Sequence, residues 1–190
     1  MIISASRRTD IPAFYSKWFI KRIRAGYCIV PNPFDTNQIC YVSLCPEDVE
    51  IIVFWTRHPL GLLSYLKELT QRGYRYYFLF TIMDNPLLIE TKTPPLPSAL
   101  KVFRRLSEFV GPEKVIWRYD PIVLSNVTNE QFHIKTFKHI ADALHGYTQR
   151  IIMSMVSIYP KTRRRLQALE IQTINVSPGL EPSQAFKDLM

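Results

Sequence analysis

Short apolar runs that break off into charge recur along this chain, and no other feature limits its fold so tightly. Ile2-Ile3-Ser4-Ala5-Ser6 is followed by Arg7-Arg8-Thr9-Asp10. Ile51-Ile52-Val53-Phe54-Trp55 is followed by Thr56-Arg57, and Val115-Ile116-Trp117 by Arg118-Tyr119-Asp120-Pro121. Runs of this length, rich in β-branched and aromatic residues, suit buried strands. Parallel α/β folds bind ligands at the carboxyl ends of such strands. The arginine-bearing ends therefore locate a candidate site without naming its chemistry.

Helical patterns fill the spaces between these runs. Residues 13–25 read as a helix with Phe14, Trp18 and Ile23 on one side and Lys17, Lys21 and Arg24 exposed. Gly26 suits its end. Strand-like segments follow at 27–30 and 38–44, with turn chemistry at Asp35-Thr36-Asn37, so a hairpin-like excursion is expected here. Residues 50–56 read as a strand, and a helix beginning near Pro59 runs to about Gln71. Residues 74–82 give the strongest strand signal. A proline-rich loop spans 84–97, and a helix spans 98–110. Residues 114–117 read as a strand. Thr128 with Gln131 makes a capping box for a helix through Leu144. A strand at 150–156, a basic helix at 161–170, a short strand at 173–176 and a helix after Pro182 complete the reading.

Alternating strands and helices imply an α/β fold with a mostly parallel sheet. With 190 residues, the chain is short for a full eight-unit barrel of ~250 residues. A partial or truncated TIM-like (β/α) barrel, in a single domain over 1–190, is the expected architecture. The 47% hydrophobic and 21% charged composition excludes a disordered chain. No apolar run is long enough to span a membrane as a helix. The amino-terminal strand precedes its arginines, the reverse of a secretory signal, so a cytoplasmic protein is expected. The cysteines, Cys28, Cys40 and Cys45, match no zinc or iron–sulfur spacing. Cys28 and Cys40 read as small core residues. The net charge of +8 favours anionic partners.

The stretch from Ser4 to Tyr15, SASRRTDIPAFY, resembles the amino-terminal signature of the DUF1848 family of bacterial and archaeal proteins. So do Asn32-Pro33-Phe34, Val53-Phe54-Trp55-Thr56-Arg57, and the segment from Gly111 to Ile122, GPEKVIWRYDPI. These motifs occur in the family's order, from the first residues to about Tyr159. The family's function is not established, so the resemblance speaks to fold more than to activity. It implies longer members with a carboxyl-terminal cysteine-rich segment that looks like an iron–sulfur or other metal site. That segment is similar to the clusters of radical S-adenosylmethionine enzymes, which also use partial α/β barrels. No cysteine follows Cys45, so no cofactor is expected in this chain. It is then either a truncated member or one that works without the cluster.

Arg7, Arg8 and Asp10 follow the first strand. Paired guanidinium groups beside a carboxylate can clamp a phosphate or carboxylate ligand through bidentate bonds. They can equally form a structural ion-pair network. Arg118 and Asp120 fall on one side of the backbone if their strand persists, either as a mutual salt bridge or as an anion grip with Asp120 as a base. Arg57 is another candidate grip, able to bind an anion or stack on an aromatic ring. Asn32, also placed among the ligand-binding candidates, is most simply a turn residue. His133, His139 and His145 lie on or at the end of one helix, away from the strand ends, and their spacing makes no metal pair. His58 is nearer the candidate site.

The leading expectation is an enzyme-like protein that binds an anionic small molecule at the barrel mouth. Arg7, Arg8, Arg57 and Arg118 would grip it, and Asp10 and Asp120 would orient them or move protons. A second reading is a basic nucleic-acid-binding module using Arg163-Arg164-Arg165. A third is an inactive truncated paralogue whose open barrel edge is covered by a second copy.

Overall fold

The computed structural model describes residues 1–6, 9–32, 34–35, 37–157, 159–160, 164 and 183–189. Five strands form one parallel sheet: β1 (Ile2–Ser4), β4 (Ile51–Thr56), β5 (Tyr76–Thr81), β6 (Val115–Ile122) and β7 (Ile151–Met155), in that order. Two further strands, β2 (Tyr27–Pro31) and β3 (Ile39–Ser43), form a separate antiparallel hairpin. Among the described residues β1 pairs only with β4 and β7 only with β6, and no closed barrel is seen. No helix among the described residues is long and apolar enough to cross a membrane.

The chain divides into two compact units, Met1–Phe80 and Thr81–Met190. In the first, β1 pairs with β4 through Ile2–Ile51 and Ser4–Val53, and β4 pairs with β5 through Phe54–Phe78. The helices are α1 (Ile11–Phe14), α2 (Ser16–Ala25), α3 (Leu60–Leu63) and α4 (Leu66–Gln71). Phe54 is fully buried, stacked on Phe78 at 5.0 Å and met edge-on by Phe19 at 5.5 Å. Leu62, Leu66 and Leu69 close the core beside them.

The expected helix over 13–25 is two helices, because Tyr15 leaves helical geometry between them. This break corrects the expected buried side. Ser16, Phe19, Ile20 and Ile23 face inward at helical spacing, while Phe14 and Trp18 are exposed. Gly26, at φ 77°, takes the left-handed conformation that turns α2 into β2. The hairpin itself was anticipated, but Cys40 on it is exposed rather than core. A two-stranded ribbon has too few layers to bury both faces.

In the second unit, α5 (Leu96–Val110) starts two residues ahead of the expected position, and β6 runs five residues beyond its expected end. Helix α6 (Glu130–Leu144) is capped by Asn129, whose side chain accepts from the Phe132 N–H at 2.9 Å. The expected capping residue, Thr128, is buried instead and bonds Ser125 and the Val123 carbonyl. A last short helix, α7 (Gln184–Leu189), docks on α6. Both the N–H and hydroxyl of Ser183 donate to the Glu130 carboxylate, at 2.7 and 2.8 Å. Phe186 is buried. Apart from Arg164, the expected basic helix at 161–170 and the strand at 173–176 lie outside the described residues.

Candidate functional site

In the first unit the chain leaves β1 through Ala5, whose N–H donates to the Val53 carbonyl at 2.9 Å. Ser6 follows, two residues past the strand end. Arg7 and Arg8 lie outside the described residues. Asp10 then does two things at once. One carboxylate oxygen caps α1 by accepting from the Ala13 N–H at 3.0 Å, and the other accepts from the Arg57 N–H at 2.7 Å. Asp10 thereby ties the segment after β1 to the segment after β4. Backbone donors satisfy both of its oxygens.

The segment after β4 is equally ordered. The hydroxyl of buried Thr56 accepts from the His58 N–H at 3.0 Å. Arg57 is half-buried between them. Two polar atoms here stand out. Ser6 Oγ and His58 Nδ1 are both buried and have no hydrogen-bond partner. They follow the carboxyl ends of neighbouring parallel strands.

Asn32 is a turn residue of the hairpin. Its side-chain oxygen accepts from the Phe34 N–H at 3.0 Å, and its amide donates to Gln38 at 2.9 Å. This bridges the two strands at the mouth of the turn.

In the second unit, alternation along β6 separates two kinds of chemistry. Trp117 and Tyr119 point to one side. Trp117 stacks on Phe137 at 5.0 Å, and the Tyr119 hydroxyl bonds His133 Nδ1 at 2.9 Å. His133 Nε2 is 3.0 Å from the Val123 carbonyl. A carbonyl can only accept, so Nε2 carries the proton and Nδ1 accepts from the tyrosine. Burial pushes the His133 imidazole below its ordinary range. It also raises the Tyr119 hydroxyl, with the Asp84 charge adding to the effect. His133 is thus a satisfied neutral core residue. An apolar cavity of about 250 Å³ lies on this side, walled by Tyr119, His133, Phe137 and Phe186.

Arg118 and Asp120 occupy the other side of β6. They form an ion pair with side chains 18% and 14% exposed. The Ser154 hydroxyl of β7 donates to Asp120, and Arg118 reaches the Thr81 hydroxyl at 3.5 Å. The strand persists, and the two residues share a face as expected. Asn85, four residues past the end of β5, is buried with neither side-chain amide atom partnered. Among the described residues, no group of three or more His, Cys, Asp or Glu side chains gathers as a metal site.

The structure therefore brings Asp10 to Arg57 in one unit and Arg118 to Asp120 in the other. Sequence reasoning passed over Ser6, Asn85, Thr81 and Ser154. Ser6 and Asn85 carry a usable signal: each is a small polar residue just beyond the carboxyl end of a strand.

A family model described as a domain of unknown function, DUF1848, matches residues 2–189. The chain belongs to the DUF1848 family. The match extends past Tyr159, where the resemblance of the individual motifs stops. Neither the curated proteins nor the solved structures contain a match to the chain. DUF1848 membership covers both polar clusters and assigns neither a reaction.

Proposed function

We propose that this DUF1848 protein binds an oxyanion, a phosphate- or carboxylate-bearing small molecule, at the carboxyl ends of β1 and β4 in a partial (β/α) barrel. The observation that carries the reading is the pair of unpartnered buried atoms, Ser6 Oγ and His58 Nδ1. Leaving a buried polar group unpaired costs about 1–3 kcal/mol. Two such atoms beside Arg57, past the ends of adjacent strands, suit a ligand that completes their bonding. In this reading a serine hydroxyl, an imidazole nitrogen and a guanidinium supply the contacts. Arg7 and Arg8 add charge from the same segment of sequence. Asp10 is a positioning residue that holds the two segments in register. Arg118 and Asp120 form their own pair and carry none of this reading.

The test is thermal unfolding with phosphate, pyrophosphate or chloride at matched ionic strength. A ligand at 100 times its Kd stabilises the folded state by about 2.7 kcal/mol. Phosphate or pyrophosphate is expected to stabilise the wild type beyond chloride, and Arg57→Ala and His58→Ala to reduce that increment. Ser6→Ala removes an unpartnered hydroxyl. It should leave the protein as stable without anion while weakening the anion response. Equal responses to all three anions, or an undiminished response in the variants, would refute the proposal.

A further inference from the structure

The β2–β3 hairpin displays apolar surface that a lone chain has little reason to keep. The register pairs Ile29 with Tyr41 and Pro31 with Ile39, which places all four on one face of the ribbon. Cys28, Val30, Cys40 and Val42 take the opposite face. Ile29 is 51% exposed, and Ile39 and Tyr41 are each 67% exposed. Phe34, in the turn, is 96% exposed. The face is also ordered: Tyr41 stacks on Tyr27 at 5.4 Å, and the Arg22 guanidinium covers Tyr27 at 5.7 Å.

Charge identifies the occupant. Between Tyr27 and Ser43 the only charged residue is Asp35, in a chain that is 21% charged and carries +8 overall. A nucleic acid or an acidic protein would be met by several cations, and the ribbon itself supplies none; the Arg22 guanidinium at its edge lies over the Tyr27 ring. Isoleucine is also a poor platform for a base, which stacks on aromatic rings. An apolar face with so little charge of its own is matched by another of the same kind, and a second copy supplies one through a two-fold axis. The exposed side chains of the face and turn present on the order of 500 Å² per copy. Two copies would bury about 1,000 Å², the size at which an interface becomes specific.

We infer that this chain self-associates through the Ile29–Ile39–Tyr41 face of its β2–β3 hairpin, packed on the same face of a second copy. The inference does not depend on the anion site. Because both copies are basic, salt screens their repulsion and strengthens the dimer. Nucleic-acid binding has the opposite salt dependence.

Sedimentation equilibrium over a concentration series, at low and high salt, tests this. The expected result is a species of twice the chain mass that grows with concentration and with salt. Ile39→Glu and Tyr41→Glu, each checked for unchanged far-ultraviolet circular dichroism, should weaken it by about tenfold or more. Cys40→Ser, on the opposite face, should leave it intact. A monomer at every concentration, a dimer indifferent to both glutamates, or a dimer weakened by salt would overturn the inference. So would a monomer that binds labelled single-stranded RNA and loses it in Tyr41→Ala.

Discussion

Replacing Tyr119 by Phe isolates one buried hydrogen bond. Tyr119 and His133 are both fully buried, and the hydroxyl that joins them is 2.9 Å from His133 Nδ1. Phenylalanine keeps the ring, which meets Trp117 edge-on at 5.8 Å and Phe137 at 5.5 Å. The change therefore leaves packing nearly intact and strands Nδ1 without a donor. Stranding a buried acceptor costs about 1–3 kcal/mol. Urea unfolding followed by tryptophan fluorescence reads this, since Trp117 packs within the same cluster. A loss under about 0.5 kcal/mol would show that the bond contributes no more than water can replace.

The same pair sets a pH dependence. Burial lowers the His133 pKa in the folded state, so on acidification the unfolded chain takes up the proton first. Stability attributable to His133 is flat above its unfolded pKa of about 6.5 and falls below it, by at most about 1.4 kcal/mol per pH unit. His133→Gln should abolish that component. If wild type and variant lose stability in parallel from neutral to mildly acidic pH, the assignment of His133 as a neutral core residue is wrong.

Arg118→Ala or Asp120→Ala should destabilise the protein by about 3–5 kcal/mol, because each removes the opposite charge from beside a largely buried one. The double variant Arg118→Met/Asp120→Leu should recover much of that loss in the same unfolding assay, and additive losses would contradict a mutual pair. Asp10→Ala removes the α1 cap and the tie to Arg57, with an expected cost of about 1–2 kcal/mol. Amide hydrogen exchange should show faster exchange at Ala13 and Arg57, and unchanged rates there would refute the double role of Asp10.

Much of the strand inventory was legible from local pattern. A parallel strand covered on both faces must be apolar throughout, so Ile51–Thr56 and Tyr76–Thr81 announce themselves by composition alone. Helix ends were less legible because neighbouring residues offer the same chemistry. Thr128 and Asn129 are both competent caps, and only the burial of Thr128 against Ser125 and Val123 leaves the role to Asn129. The break at Tyr15 gave no comparable signal, and it decides whether Phe14 and Trp18 face the core or the solvent.

The family motifs and the run-to-charge transitions belong to the sequence itself. They identify a DUF1848 chain, an α/β fold, and the strand ends where polar chemistry collects. Pairing belongs to the tertiary structure. Asp10 meets the Arg57 backbone across 47 residues of chain, and Arg118 and Asp120 satisfy each other on one face of β6. Ser6 Oγ and His58 Nδ1 are each buried without a partner past the ends of neighbouring strands. A sequence displays which groups are polar, but whether each is satisfied depends on what long-range folding sets beside it.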